Sequence, residues 1–120
     1  LSLIAFTGSV RAGKMIAAQA GADLKRVILE LGGLDAAIVL KDTKIETTAK
    51  ELVALNAQNS GQVCNAVKRV YVEREIYKPL VAAMKAESEK LKLGNPTEES
   101  TDMGPLISKE QFERVRSFAE

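Results

Sequence analysis

The chain has 120 residues, 46% of them apolar and 4% aromatic, with 17 basic against 16 acidic side chains, one cysteine and no histidine. That apolar share can build a core, whereas a net charge of +1 with both signs interspersed leaves no electrostatic footprint for nucleic acid or an anionic membrane. An internal disulfide, a Cys/His zinc site and an imidazole-activated nucleophile are all excluded within these residues.

The opening LSLIAF (1–6) reads as a buried strand. In IAFTGSVRAGKM (4–15) it runs into Gly8-x-x-x-x-Gly13-Lys14, the outline of a triphosphate-binding loop. Such a loop needs a Ser or Thr hydroxyl for Mg²⁺ after the lysine, and Met15 has no oxygen to offer. The companion strand AAIVLKD also misses its pattern, because Lys41 separates Leu40 from Asp42. Two readings of the turn stay open. It is either a helix N-terminus that accepts a phosphate or pyrophosphate without metal, or a tight strand-to-helix turn capped by Thr7 or Ser9.

A helix is expected over 14–25, with Met15, Ile16, Ala18 and Leu24 as its apolar positions and Gly21 as its weak point. KRVILEL (25–31) and DAAIVL (35–40) read as strands. A helix over 45–59 turns Ile45, Ala49, Leu52, Val53 and Leu55 toward the core. KRVYVE (68–73) alternates as a strand, and 76–91 is amphipathic with Leu80, Val81, Met84 and Leu91 inward. A polar Gly/Pro-marked loop, GNPTEESTDMGP, precedes a last helix that Ser108 can cap.

Strand–helix–strand alternation predicts an α/β fold, a mostly parallel sheet covered by helices, with LGG (31–33) as the domain boundary. No stretch is long enough to span a bilayer. The chain lacks an initiator methionine, a basic leader and a cleavage site, and it ends inside a helical pattern. Both ends read as cut, so it is expected to be a piece of a longer protein.

Two residues stand out. Glu30 is an acid at the end of an apolar strand, where burial would suit a general acid or base. Strand alternation offers the other reading, with Val27, Leu29 and Leu31 facing the core and Ile28 and Glu30 facing away. Cys64 follows Asn59, Gly61 and Gln62 and precedes Asn65, at a polar junction between helix and strand. It is either a small inert hydrophobe or a reactive thiol.

FTGSVRAGK, LKRVILELGG, NSGQVCNAVKRVYVE and LGNPTEESTDMGPLIS occur in this order and at these spacings in the aldehyde dehydrogenase superfamily, which the chain resembles over essentially its whole length. The most specific pieces are LELGG and GQVC, with Cys64 set 34 positions after Glu30. NSGQVCN looks most like the branch that oxidises lactaldehyde, glycolaldehyde or succinate semialdehyde. The resemblance implies the end of a Rossmann-like cofactor domain (1–33) and the start of a catalytic domain (34–120). It implies Cys64 as nucleophile, with its N–H as an oxyanion donor, and Glu30 as general base. Gly8, Ser9, Val10, Leu31 and Gly32 become contacts of NAD or NADP, Gly13 allows close packing of helix on sheet, and Lys14 is solvated. It also implies a small aldehyde as substrate, a homo-oligomeric parent and a cytoplasmic setting, with no metal, nucleic acid or membrane partner. A targeting segment upstream of Leu1 stays open, as does the choice between NAD and NADP.

The chain departs from the family pattern at Leu34 and Ala36, where Lys and often Pro are usual. The resemblance places upstream the asparagine that completes the oxyanion site and the lysine that holds the cofactor ribose or phosphate. These residues alone are therefore not expected to turn over aldehyde. The competing readings are an inactive segment of this fold with a structural or binding role and, more distantly, a P-loop triphosphatase.

Overall fold

A computed structural model describes residues 1–120, which divide into two compact units, Leu1–Leu34 and Asp35–Glu120. In the first, β1 (Leu3–Thr7) lies parallel to β2 (Arg26–Glu30), in a register running from Leu3–Arg26 to Thr7–Glu30. Parallel neighbours need a crossover, and α1 (Val10–Ala22) supplies it.

Helix α1 begins four residues before the expected start. Ser9 is extended (φ −72°, ψ 151°) and its Oγ accepts from the Ala12 N–H at 3.2 Å, so the cap precedes Val10. Gly13 and Lys14 thus lie inside the helix and are not part of a loop. The helix ends at Ala22, before the expected Lys25, where Asp23 caps it and Leu24 turns left-handed (φ 55°). Gly13 and Ala20 are its buried residues, while Met15, Ala18 and Leu24, three of the apolar positions of the expected helix, are exposed. A Cβ on Gly13 would lie 2.6 Å from Leu31 Cδ2, so the missing side chain lets the helix approach Leu31. In β2, Val27 and Leu29 are half-buried and Ile28 and Glu30 exposed, as strand alternation requires.

In the second unit β3 (Asp35–Val39) pairs in parallel with β4 (Val67–Val72), with a register shift between Asp35 and Ala36. The crossover contains α2 (Ile45–Ala57), and α3 (Tyr77–Ser88) follows β4. Val39, Ala49, Leu52 and Leu80 form the core, with Ala37, Val67, Val70, Val72 and Met84 packed around it. Leu55 and Val81, expected inward, are exposed. Val81 lies about 100° around the helix from Leu80, beyond the edge of the buried stripe in α3. Both helices stop short of the expected ends, at Ala57 and Ser88. The polar segment beyond α3 is pinned by a Leu93–Met103 bridge and by the Asp102 carboxylate accepting from the Lys92 N–H at 2.9 Å. Ser108 caps α4 (Lys109–Ala119) through its Oγ and the Gln111 N–H at 3.2 Å.

Candidate active site

Two clusters of polar groups stand at strand and helix ends. The first is built by β1, α1 and β2. Past the last ladder pair, Thr7–Glu30, the Gly8 N–H donates to the Glu30 carbonyl at 3.0 Å. The turn into α1 is therefore tied to the residue bearing the carboxylate. A Cβ on Gly8 would lie 2.5 Å from Cζ of Phe6, so any side chain there would require the Phe6 ring under the turn to shift. Ser9 caps α1, and Val10 is its first residue, half-exposed. The helix carries no acidic side chain in its first turn, which leaves its positive end unneutralised. Glu30 itself is exposed.

Leu31 packs toward Gly13, and Gly32 is exposed. Gly32 lacks a positive φ, and a Cβ there would meet nothing within 4 Å. Neither backbone conformation nor packing inside this chain demands glycine at 32.

The second cluster surrounds Cys64, which is exposed and unpaired. Helix α2 gives way to a distorted turn, Gln58–Gly61, in which Asn59 (φ 48°), Ser60 (φ 57°) and Gly61 (φ 75°) are all left-handed. Two of these are not glycine, and each costs roughly 1 kcal/mol or more in backbone strain. Side chains hold the turn. The Ser60 hydroxyl donates to the Gly104 carbonyl at 2.7 Å, and Gln62 Oε1 accepts from the Ile107 N–H at 2.9 Å. Gln62 Nε2 also donates to the Asn59 carbonyl at 2.9 Å. Lys68, on β4, reaches back so that its Nζ donates to the carbonyls of Val63 (3.0 Å) and Cys64 (2.8 Å).

Of the residues singled out in the sequence, Gly8, Ser9, Val10, Glu30, Leu31 and Gly32 thus lie in the first unit and Cys64 in the second. The Ser60–Gly104 and Gln62–Ile107 ties and the Lys68 clamp carried no local signal. Ser60 and Gln62 meet partners 44 and 45 positions later. A cleft of about 360 Å³ among Ser60, Leu93, Gly94, Met103 and Leu106 follows that seam and does not include Cys64. No group of three His, Cys, Asp or Glu side chains is placed to hold a metal ion, and no helix is long and apolar enough to cross a membrane.

The sequence profile of the aldehyde dehydrogenase family matches residues 1–120. The chain is 42% identical over 118 residues to a 3-sulfolactaldehyde dehydrogenase of Priestia megaterium, covering 98% of this chain and 24% of that protein. It is 45% identical over 115 residues to a lactaldehyde dehydrogenase of Methanococcus vannielii, covering 96% of this chain and 24% of that one. Among solved structures, lactaldehyde dehydrogenase from Escherichia coli superposes with a TM-score of 0.93 at 41% identity, covering 98% of this chain and 25% of the other. Betaine aldehyde dehydrogenase from Staphylococcus aureus, in complex with NAD+, superposes at 0.94 with 32% identity, covering 99% of this chain and 24% of that one. The chain spans about a quarter of the length of these relatives.

Proposed function

The chain belongs to the aldehyde dehydrogenase family, and from that premise we propose that it is part of an NAD(P)-dependent enzyme oxidising a small aldehyde to its carboxylate. On this reading residues 1–33 close the cofactor domain and 34–120 open the catalytic domain of a homo-oligomeric protein. The lactaldehyde and sulfolactaldehyde relatives favour a short aldehyde bearing a hydroxyl on the neighbouring carbon.

The observation that carries the proposal is the turn at Cys64. A thiol that is exposed, free and set on a backbone held by Gln62, Ser60 and Lys68 supports a nucleophile over a packing cysteine. Its thiolate adds to the aldehyde carbon, and the oxygen that gains charge is received by the Cys64 N–H. The chemistry that NAD(P) would supply when bound is acceptance of the hydride from this carbon. A thioester then remains on Cys64. Glu30 takes a proton from water as that water attacks the acyl carbon, so the carboxylate departs and the sulfur is restored.

The residues of the first unit fit a dinucleotide. The N-terminus of α1 offers unspent N–H groups and no opposing carboxylate, which suits a pyrophosphate beside Gly8, Ser9 and Val10. Gly32 is open to close approach by a group outside this chain, and Leu31 supplies the neighbouring backbone. Lys14 is exposed one turn into the helix and has no part in this site.

The test is NAD(P) reduction by the full-length enzyme with lactaldehyde, glycolaldehyde and succinate semialdehyde. Cys64→Ser should lower kcat by about 10³-fold or more with the fold unchanged. Turnover near the parent rate in that variant would overturn the proposal.

A further inference from the structure

Lys68 is a cation that grips the turn at Cys64. Its Nζ lies 3.0 Å from the Val63 carbonyl oxygen and 2.8 Å from that of Cys64, and the Ala66 N–H donates to Val63 as well, at 3.2 Å. No peptide bond in the chain is cis. In a trans peptide C=O and N–H point in opposite directions, so the direction of the Val63 carbonyl fixes that of the Cys64 N–H. A carbonyl drawn to an ammonium on one side presents the N–H on the other. The Cys64 N–H donates to no acceptor in the protein, which leaves it available. An ammonium on a carbonyl oxygen also draws electron density through the peptide and strengthens its N–H as a donor.

The geometry points to Lys68 as a positioning residue that aims and polarises the Cys64 N–H toward the oxygen that becomes negative when the thiolate adds to the aldehyde. The inference rests on the proposed role of Cys64. Lys68 touches neither the substrate nor the sulfur in this scheme, and its effect passes through the Val63–Cys64 peptide.

The reaction offers a control. Attack on an aldehyde develops an oxyanion, whereas alkylation of the same sulfur by iodoacetamide displaces iodide and develops none at that position. In the full-length enzyme, Lys68→Met should lower kcat for aldehyde oxidation about 10-fold, below the loss expected for deleting a donor outright. KM for NAD(P) and the rate of Cys64 alkylation should each stay within about two-fold, and Lys68→Arg, which retains a cationic donor, should recover most of the rate. Should Lys68→Met fail to fold, Lys68→Gln, a neutral donor, reads the same comparison. An unchanged kcat, or a parallel fall in oxidation and alkylation, would overturn the assignment. The Cys64→Ser variant separates this from failure of the underlying function: activity surviving there removes the role of Cys64, whereas activity lost there but unaffected by Lys68→Met removes only Lys68.

Discussion

The Gly8 N–H donates to the Glu30 carbonyl at 3.0 Å, extending the β1–β2 ladder one step beyond its last pair. The tie uses only backbone atoms, and the Glu30 carboxylate is exposed and spent on no packing. Chemistry and structure can therefore be separated at this residue. Glu30→Gln should alter unfolding free energy by no more than about 0.5 kcal/mol, the usual range for an exposed site. In the full-length enzyme the substitution should let acyl transfer to Cys64 proceed and then stall, because water is no longer deprotonated. Mass spectrometry of enzyme mixed with aldehyde and NAD(P) should show the acyl adduct. Normal turnover without an adduct would remove Glu30 from the reaction.

The two glycines inside α1 should respond oppositely to alanine. At Gly21 a Cβ would meet nothing within 4 Å, so Gly21→Ala gains helix propensity at no steric expense and should stabilise by about 0.5–1 kcal/mol. At Gly13 the same atom would lie 2.6 and 2.9 Å from the two methyls of Leu31. The resulting overpacking, typically about 1–3 kcal/mol, exceeds the propensity gain. Gly13→Ala should lower Tm where Gly21→Ala raises it. Thermal unfolding of the pair in the full-length enzyme decides, and stabilisation by both would show that Leu31 moves aside freely.

Ser60 combines strain and a tether. It is left-handed, and its hydroxyl donates to Gly104 across 44 positions of sequence. Ser60→Ala keeps the strain and loses the bond, so it should destabilise by about 1–2 kcal/mol. Ser60→Gly loses the bond but relieves roughly 1 kcal/mol of strain, so it should fall nearer the parent. Both should reduce kcat more than they change KM for NAD(P), since the turn leads to Cys64 and the cofactor contacts proposed here lie in the other unit. Urea titration ranks the stabilities, and equal destabilisation by the two variants would deny the strain.

What could be read from the sequence was whatever depends on neighbours in the chain. Alternation set the exposed face of β2 correctly because the period of a strand is local. The helical stripe found Ala49, Leu52, Val53 and Leu80 for the same reason. Helix ends were harder. The Gly13-Lys14 pair resembled the close of a loop, whereas Ser9, with its Oγ on Ala12 N–H, had already begun the helix. In the left-handed run at 59–61, Asn59 and Gly61 are residue types that tolerate such backbone, but Ser60 is not, and the contacts to Gly104 and Ile107 that hold the turn lie too far along the chain to be legible. Lys68 was missed for a related reason: its grip on two carbonyls exists only once the Cys64 turn folds back toward β4. The roles proposed for Cys64 and Glu30 rest on the motif pattern, since the two residues stand in separate compact units.

The 120 residues by themselves should be weakly cooperative. Their fully or nearly buried apolar residues are Ala20, Val39, Ala49, Leu52, Val53, Ala57, Ala66 and Leu80, half of them alanines that contribute little transfer free energy. Against these stand large exposed side chains on strands and helices alike: Ile28 on β2, Ile38 at 77% on β3, Tyr71 on β4 and Phe118 at 82% on α4. Ile38 and Tyr71 are register partners, so they form a short, exposed apolar strip across the β3–β4 pair, with the Arg69 guanidinium over the Tyr71 ring at 5.9 Å from its centroid. An apolar strip of this kind favours association over a stable monomer. Expressed alone, the chain should bind an environment-sensitive apolar dye at ambient temperature and show a broad thermal transition, whereas the full-length enzyme should show a sharp one and little dye binding. A sharp transition of the monomeric 120-residue chain, without dye binding, would mean that its small core suffices and that the exposed strip needs no cover.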